Sequence, residues 1–203
     1  MTAPSLPRRR VRHRLAEAIL DALHDQVARR ALARLAGDEM AAREWLGPHE
    51  AGQVDAVKAR AQRACAMLEG APLGASAGTL SDALEDAALL FDAGLFFECH
   101  ELLEPHWRQA SGQAREALQG LIQIAVGYQH RADGNALGAH ALLGEGVTRV
   151  RGRHLGGMSL DEFAEAVAET IGSTAAGAET PRVVPRFPRA SARLTSAAAT
   201  PPP

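Results

Sequence analysis

Apolar residues recur at every third or fourth position through most of this chain, and that period constrains it to helices. Leu15, Ile19, Leu23 and Val27 stand at i, i+4 spacing. Val54, Val57, Ala61, Ala64 and Leu68 repeat the pattern, as do Ala83, Leu84, Ala88 and Phe91. The runs are broken at Trp45-Leu46-Gly47-Pro48, Asp92-Ala93-Gly94, Ser111-Gly112 and Asp133-Gly134-Asn135, where Gly, Pro, Ser and Asn favour turns over helix. The bulk residues, Ala, Leu, Glu and Arg with few aromatics, are themselves good helix formers.

The reading is therefore an all-α protein. Residues 1–10 make a disordered basic arm. One helix over 11–35 and another over 50–68, with Pro48 ahead of it, form an N-terminal helical hairpin at 11–69. The Gly- and Ala-rich stretch 70–78 is a linker by composition. An antiparallel helical bundle follows at 79–171. Its first helix is capped by Thr79 or Ser81. The second starts at Phe96, and Pro105 should kink it by removing the bond to the Glu101 carbonyl. A long helix covers 114–131, and a further one covers 136–150, with Asn135 as cap and Gly138 and Ala139 suited to close packing. Ser159-Leu160-Asp161-Glu162 reads as a capping box for the last helix. Beyond Gly172 the chain is Ala, Ser, Pro and Arg, so 172–203 is expected to be a disordered tail.

Charge and composition exclude several classes. No run approaches the roughly 18 apolar residues of a membrane span. The opening MTAPSLPRRRVRHR lacks the apolar segment and cleavage site of a secretory signal. Cys65 and Cys99 have no metal-type spacing and read as reduced thiols of a cytoplasmic protein. The net charge of −2 hides an uneven distribution. Five arginines and no acid lie in 8–14, whereas 80–171 carries fourteen Asp and Glu against six Arg. Without a recognition motif the basic arm is not read as a nucleic-acid site. It is read as a solubilising end, or one that pairs with the chain's own acidic body. The expected partners are a small-molecule ligand or substrate and a second copy in a homo-oligomer.

The functional signal lies in FDAGLFFECHELLEPHW, residues 91–107. Wound at about 100° per residue, Phe96, Phe97, His100, Leu103, Glu104 and Trp107 share one stripe. Ionisable groups on an apolar face must be paired, hydrogen-bonded or bound to metal. The long helix repeats the anomaly, with Arg115, Gln119, Gln123, Val126 and His130 in line. Two readings stay open. In one, His100 and Glu104, one turn apart, and His130 from the facing helix hold a divalent Zn, Mn or Fe ion. Glu101, rotated about 100° from His100, is then general base. Phe97, Glu98, Trp107, Arg115, Gln119 and Gln123 line the pocket or support the ligands, Glu98 from a more solvated face. In the other, the polar stripe is a structural network in a non-enzymatic binding or assembly module. Cys99 next to His100 is a small buried residue rather than a nucleophile, and His140 and His154 are isolated.

With these residues in view, the chain resembles a family of small prokaryotic helical proteins, domain-of-unknown-function family 309. The resemblance rests on FDAGLFFECHELLEPHW, LQGLIQIAVGYQHRADGN and GAHALL in that order, over about 84–150. It implies a compact helical bundle. It also implies the general label of predicted metal-dependent hydrolase. Position by position, the family motif falls on Glu98, His100, Glu101, Glu104, Trp107, Gln119, Gly120, Gln123, His130, Gly134 and Asn135. Cys99 stands where the family usually has alanine.

Overall fold

The computed structural model describes residues 8–73, 78–175 and 183–189, and these are almost entirely helical. The helices are α1 (Arg9–His24), α2 (Gln26–Gly37), α3 (Glu39–Leu46), α4 (Val54–Glu69), α5 (Leu80–Asp92), α6 (Phe96–Gln109), α7 (Gly112–Ala132), α8 (Ala136–Val150) and α9 (Asp161–Ala175). A 3-10 turn, Pro48–Gln53, leads into α4, and a two-residue hairpin, β1 (His154–Leu155) against β2 (Met158–Ser159), precedes α9.

The N-terminal hairpin is built from α1–α4, and its first limb is in pieces. The single helix expected over 11–35 breaks at Asp25, which is extended (φ −117°, ψ 124°) and whose carboxylate accepts the Ala28 N–H at 2.6 Å. Asp38 repeats the device for α3, accepting from Met40 N–H at 2.8 Å. An acidic N-cap satisfies amides that no helical carbonyl reaches. Each break also resets the helical phase. Val27, placed on the apolar stripe by its spacing, is consequently 71% exposed.

In the bundle, Thr79 and Asp82 form a reciprocal capping box at the start of α5, and Gly94 (φ +73°) turns the chain into α6. The helix continues through Pro105 to Gln109. The closest helix pair is α7 with α8. A Cβ at Gly120 would sit 2.6 Å from Val150 Cγ1 and 3.0 Å from the Gly146 carbonyl, and one at Gly127 would sit 2.8 Å from Leu143 Cγ. That register, rising on one helix as it falls on the other, makes the pair antiparallel. The backbones approach closely at Gly146, and Gly138 is also tight against α7, where a Cβ would sit 2.9 Å from His130 Nδ1.

One hydrophobic core runs from Val11 on α1 to Phe187 near the chain's end. Its centre is aromatic. Phe91 meets Phe96, Tyr128, Phe163 and Phe187 with ring centroids 5.1–5.7 Å away. Part of the expected tail therefore belongs to the core. Phe187 is 2% exposed, and Asp92 accepts its N–H at 2.9 Å and an Arg189 guanidinium N–H at 2.7 Å. Residues 176–182 and 190–203 of that tail, and 1–7 of the arm, lie outside the described residues.

The two cysteines differ in burial. Cys99 is fully buried, and desolvation, with the Glu98 and Asp92 charges adding, pushes its thiol far above the ordinary range. Cys65 is half-buried, with a smaller upward push from burial and then Glu69. Since the thiolate is the nucleophile, iodoacetamide should label Cys65 slowly in the native protein and Cys99 only in denaturant. Mass spectrometry of the labelled chain would read this directly. Equal labelling of both thiols in the native state would contradict the buried position of Cys99.

Candidate functional site

Three residues of α6 converge. One donor atom each from His100, Glu101 and Glu104 can be chosen so that all lie within 4.8 Å of one another. The i, i+4 step stacks His100 below Glu104, with Nε2 and Oε2 4.0 Å apart. Glu101, expected to point about 100° away, instead folds its flexible side chain back, bringing Oε1 to 3.3 Å from His100 Nδ1. All three side chains keep partial contact with solvent, at 22–31% exposure. His100 Nδ1 is nevertheless buried, and at that distance from Glu101 makes no hydrogen bond. Burial lowers the His100 pKa below its ordinary value, Glu101 and Glu104 push the other way, and His13 and Arg12 add to the lowering. The balance favours the neutral imidazole, the form that can ligate.

The arginine-rich start of the chain supplies the other wall, which the residue pattern of α6 alone did not reveal. α1 packs against α6 and brings His13 Nδ1 to 3.3 Å from Glu101 Oε2. The His13 ring meets the Phe97 ring edge-on at 5.1 Å, and the Arg12 guanidinium lies 4.4 Å over that ring. Arg14 stacks on Trp45 at 3.8 Å and lies 3.6 Å from Glu50. Of the expected pairing with the acidic body at 80–171, His13 reaches Glu101, whereas Arg14 pairs within the N-terminal hairpin, with Glu50. The available signal was RRRVRHR itself, whose Val11 and Leu15 face the core and so turn Arg12 and His13 toward α6.

The other expected residues are distributed differently. His130 does not join the cluster; the Asn135 amide donates to its Nδ1 at 2.8 Å, across the turn between α7 and α8. Glu98 is not a solvated residue. It is completely buried and accepts two hydrogen bonds, 2.6 and 2.5 Å, from the Arg60 guanidinium on α4. A helix position about 160° from His100 faced α4, which the bundle segment taken alone could not foresee. Trp107 packs on the core with the Arg115 guanidinium 4.1 Å over its ring, and Arg115 also donates to the Trp107 carbonyl at 2.8 Å. Gln123 donates to Glu145 on α8 at 2.8 Å, and Gln119 is half-buried on α7. The two stripes meet at Trp107 and Arg115, while Gln123 and His130 turn to other partners.

A helical bundle with a His/Glu triplet on one face of its second helix is what the fold and site define. Residues 84–142 match the family described as Domain of unknown function (DUF309). The chain is also similar to the Uncharacterized protein YpuF of Bacillus subtilis (strain 168), at 33% identity over 60 residues. That match covers 29% of this chain and 34% of YpuF, so the chain spans about a third of the relative's length. No solved structure matches. No described helix is long and apolar enough to cross a membrane.

Proposed function

We propose that the protein binds one divalent metal ion through His100, Glu101 and Glu104 and uses it for hydrolytic chemistry in the cytoplasm. The observation that supports this is the triplet itself, three donor atoms within 4.8 Å with a buried His100 nitrogen lacking a hydrogen bond. The donor set fits the group. One imidazole and two carboxylates suit Zn, Mn or Fe. Metal–ligand bonds of about 2.0–2.2 Å would need the donors somewhat closer together, a contraction within reach of half-exposed side chains. His130 is left out of this ligand set, and Glu101 enters it. Such an ion would acidify a bound water and polarise an oxygen of the scissile group. Of the protein's own groups, Phe97 walls the site, His13 holds Glu101 from the far side, and Arg108, 2.7 Å from Glu104, competes for that carboxylate.

Elemental analysis of tag-free protein loaded with Zn or Mn tests this. About one equivalent of metal is expected, lost in the His100→Ala, Glu104→Ala double variant. Absence of stoichiometric metal would remove the proposal. A specific observation favours the second reading, a non-enzymatic binding or assembly module. Gln123, Arg115 and His130 from the polar stripe of α7, and Glu98 on another face of α6, are each bonded within the fold. In that case His100→Ala would lower stability and leave metal content at background in both proteins.

A further inference from the structure

A second concave site lies away from α6. A cavity of about 440 Å³ opens between the end of α1, residues 71–72, α5, the turn of the β-hairpin and the docked segment 183–189. That volume falls in the range of about 300–1,000 Å³ typical of small-molecule sites. No α6 residue lines it, so it is independent of the metal reading.

Its walls have a definite chemistry. Leu23, Leu84, Leu89, Met158, Pro72 and Pro188 supply an apolar lining. Gly156 makes the wall possible: at φ +57° the hairpin turn comes so close that a Cβ there would meet Leu84 at 2.8 Å. The charged groups all converge on α5. Asp82, Glu85 and Asp86 line the cavity, and among the described residues the basic groups that line it with them are His24 and Arg189. Both basic groups are already engaged, His24 Nε2 with Asp86 at 2.7 Å and Arg189 with Asp92 at 2.7 Å. Asp82 accepts the Thr79 N–H in the capping box. Glu85 is exposed at the rim with no ion pair among the described residues.

An apolar cavity with surplus negative charge selects its occupant. An anion is repelled by the α5 carboxylates. A neutral apolar molecule buries the lining but strips water from the exposed Glu85 without replacing it. A molecule with an apolar body and one protonated nitrogen satisfies both demands, because a charge-assisted hydrogen bond replaces the lost water. We propose that this cavity binds a small amphipathic amine, its body against Leu23, Leu84 and Met158 and its ammonium group between Glu85 and Asp86.

The test compares phenylbutylamine, phenylbutanol and phenylbutyrate, three probes of one shape and three charges, titrated into the full-length ¹⁵N-labelled protein. The amine should shift the Ala71, Gly156 and Met158 amides saturably, with the alcohol weaker and the acid silent. Glu85→Gln, a substitution at an exposed position, should weaken the amine about tenfold or more while leaving the rest of the spectrum in place. Three results would each overturn the proposal: no saturable shift at those amides, equal binding of amine and alcohol, or unchanged amine affinity in Glu85→Gln.

Discussion

Arg60→Ala is expected to destabilise the protein by about 3–5 kcal/mol, the cost of breaking a buried ion pair from one side. The pair joins α4 to α6, with the Glu98 side chain at 0% and the Arg60 side chain at 11% exposure. Its two parallel hydrogen bonds fix the guanidinium against both carboxylate oxygens. Alanine at position 60 leaves a carboxylate without water and without a partner. The pair's intrinsic worth is a separate matter, because burying two charges costs nearly what their attraction returns. The double variant Arg60→Met, Glu98→Leu should therefore recover most of the loss. Urea unfolding of the wild type, the single and the double variant separates the two effects. A single variant within about 0.5 kcal/mol of wild type, or a double variant as unstable as the single, would refute this account of the pair.

Phe91→Ala should cost about as much, 3–5 kcal/mol at roughly the usual value for emptying an aromatic site in a core. Phe91 is 1% exposed and is the one ring in contact with four others, contributed by α6, α7, α9 and the docked segment. Three of the four contacts are edge-to-face, a geometry that adds to simple burial. Alanine would leave a hole whose walls come from separate elements and cannot all collapse inward at once. Phe91→Leu, which keeps much of the volume, should lose considerably less. Chemical denaturation of the three proteins would show the order wild type, Leu, Ala, and a loss below about 1 kcal/mol for Ala would place the centre of the core elsewhere.

Local features were legible in the residues. The helices of 79–171, the Thr79 and Asn135 caps and the turns at Gly94 and Gly134 follow from short-range rules, because a cap and its amide lie within one turn. The convergence of His100 with Glu104 followed from helix periodicity for the same reason. What stayed hidden depends on partners far along the chain. Glu98 finds Arg60 38 residues away, and Glu101 meets His13 88 residues away. No single-helix pattern encodes such pairs. The break at Asp25 was masked because Val27 continues the i, i+4 apolar spacing across it, although that residue is 71% exposed. Two signals could have been used. Gly156-Gly157 between Leu155 and Met158 is a hairpin turn in composition, and both glycines take positive φ. Phe187 is the sole aromatic residue after position 171, and a lone ring in an Ala/Pro/Arg stretch is a candidate anchor.

That anchor has a consequence for what counts as one folding unit. The stretch shared with relatives, 84–142, includes Phe91 and Asp92 but neither Phe163 nor Phe187, which cover the Phe91 ring, nor Arg60, which neutralises Glu98. Excised by itself, it would expose an aromatic centre on one side and an uncompensated carboxylate on the other. The recognisable signature of this chain is thus smaller than the structure that keeps it folded. A miniature version of the protein would have to run from α1 to Arg189, although both margins lie outside the matched 84–142.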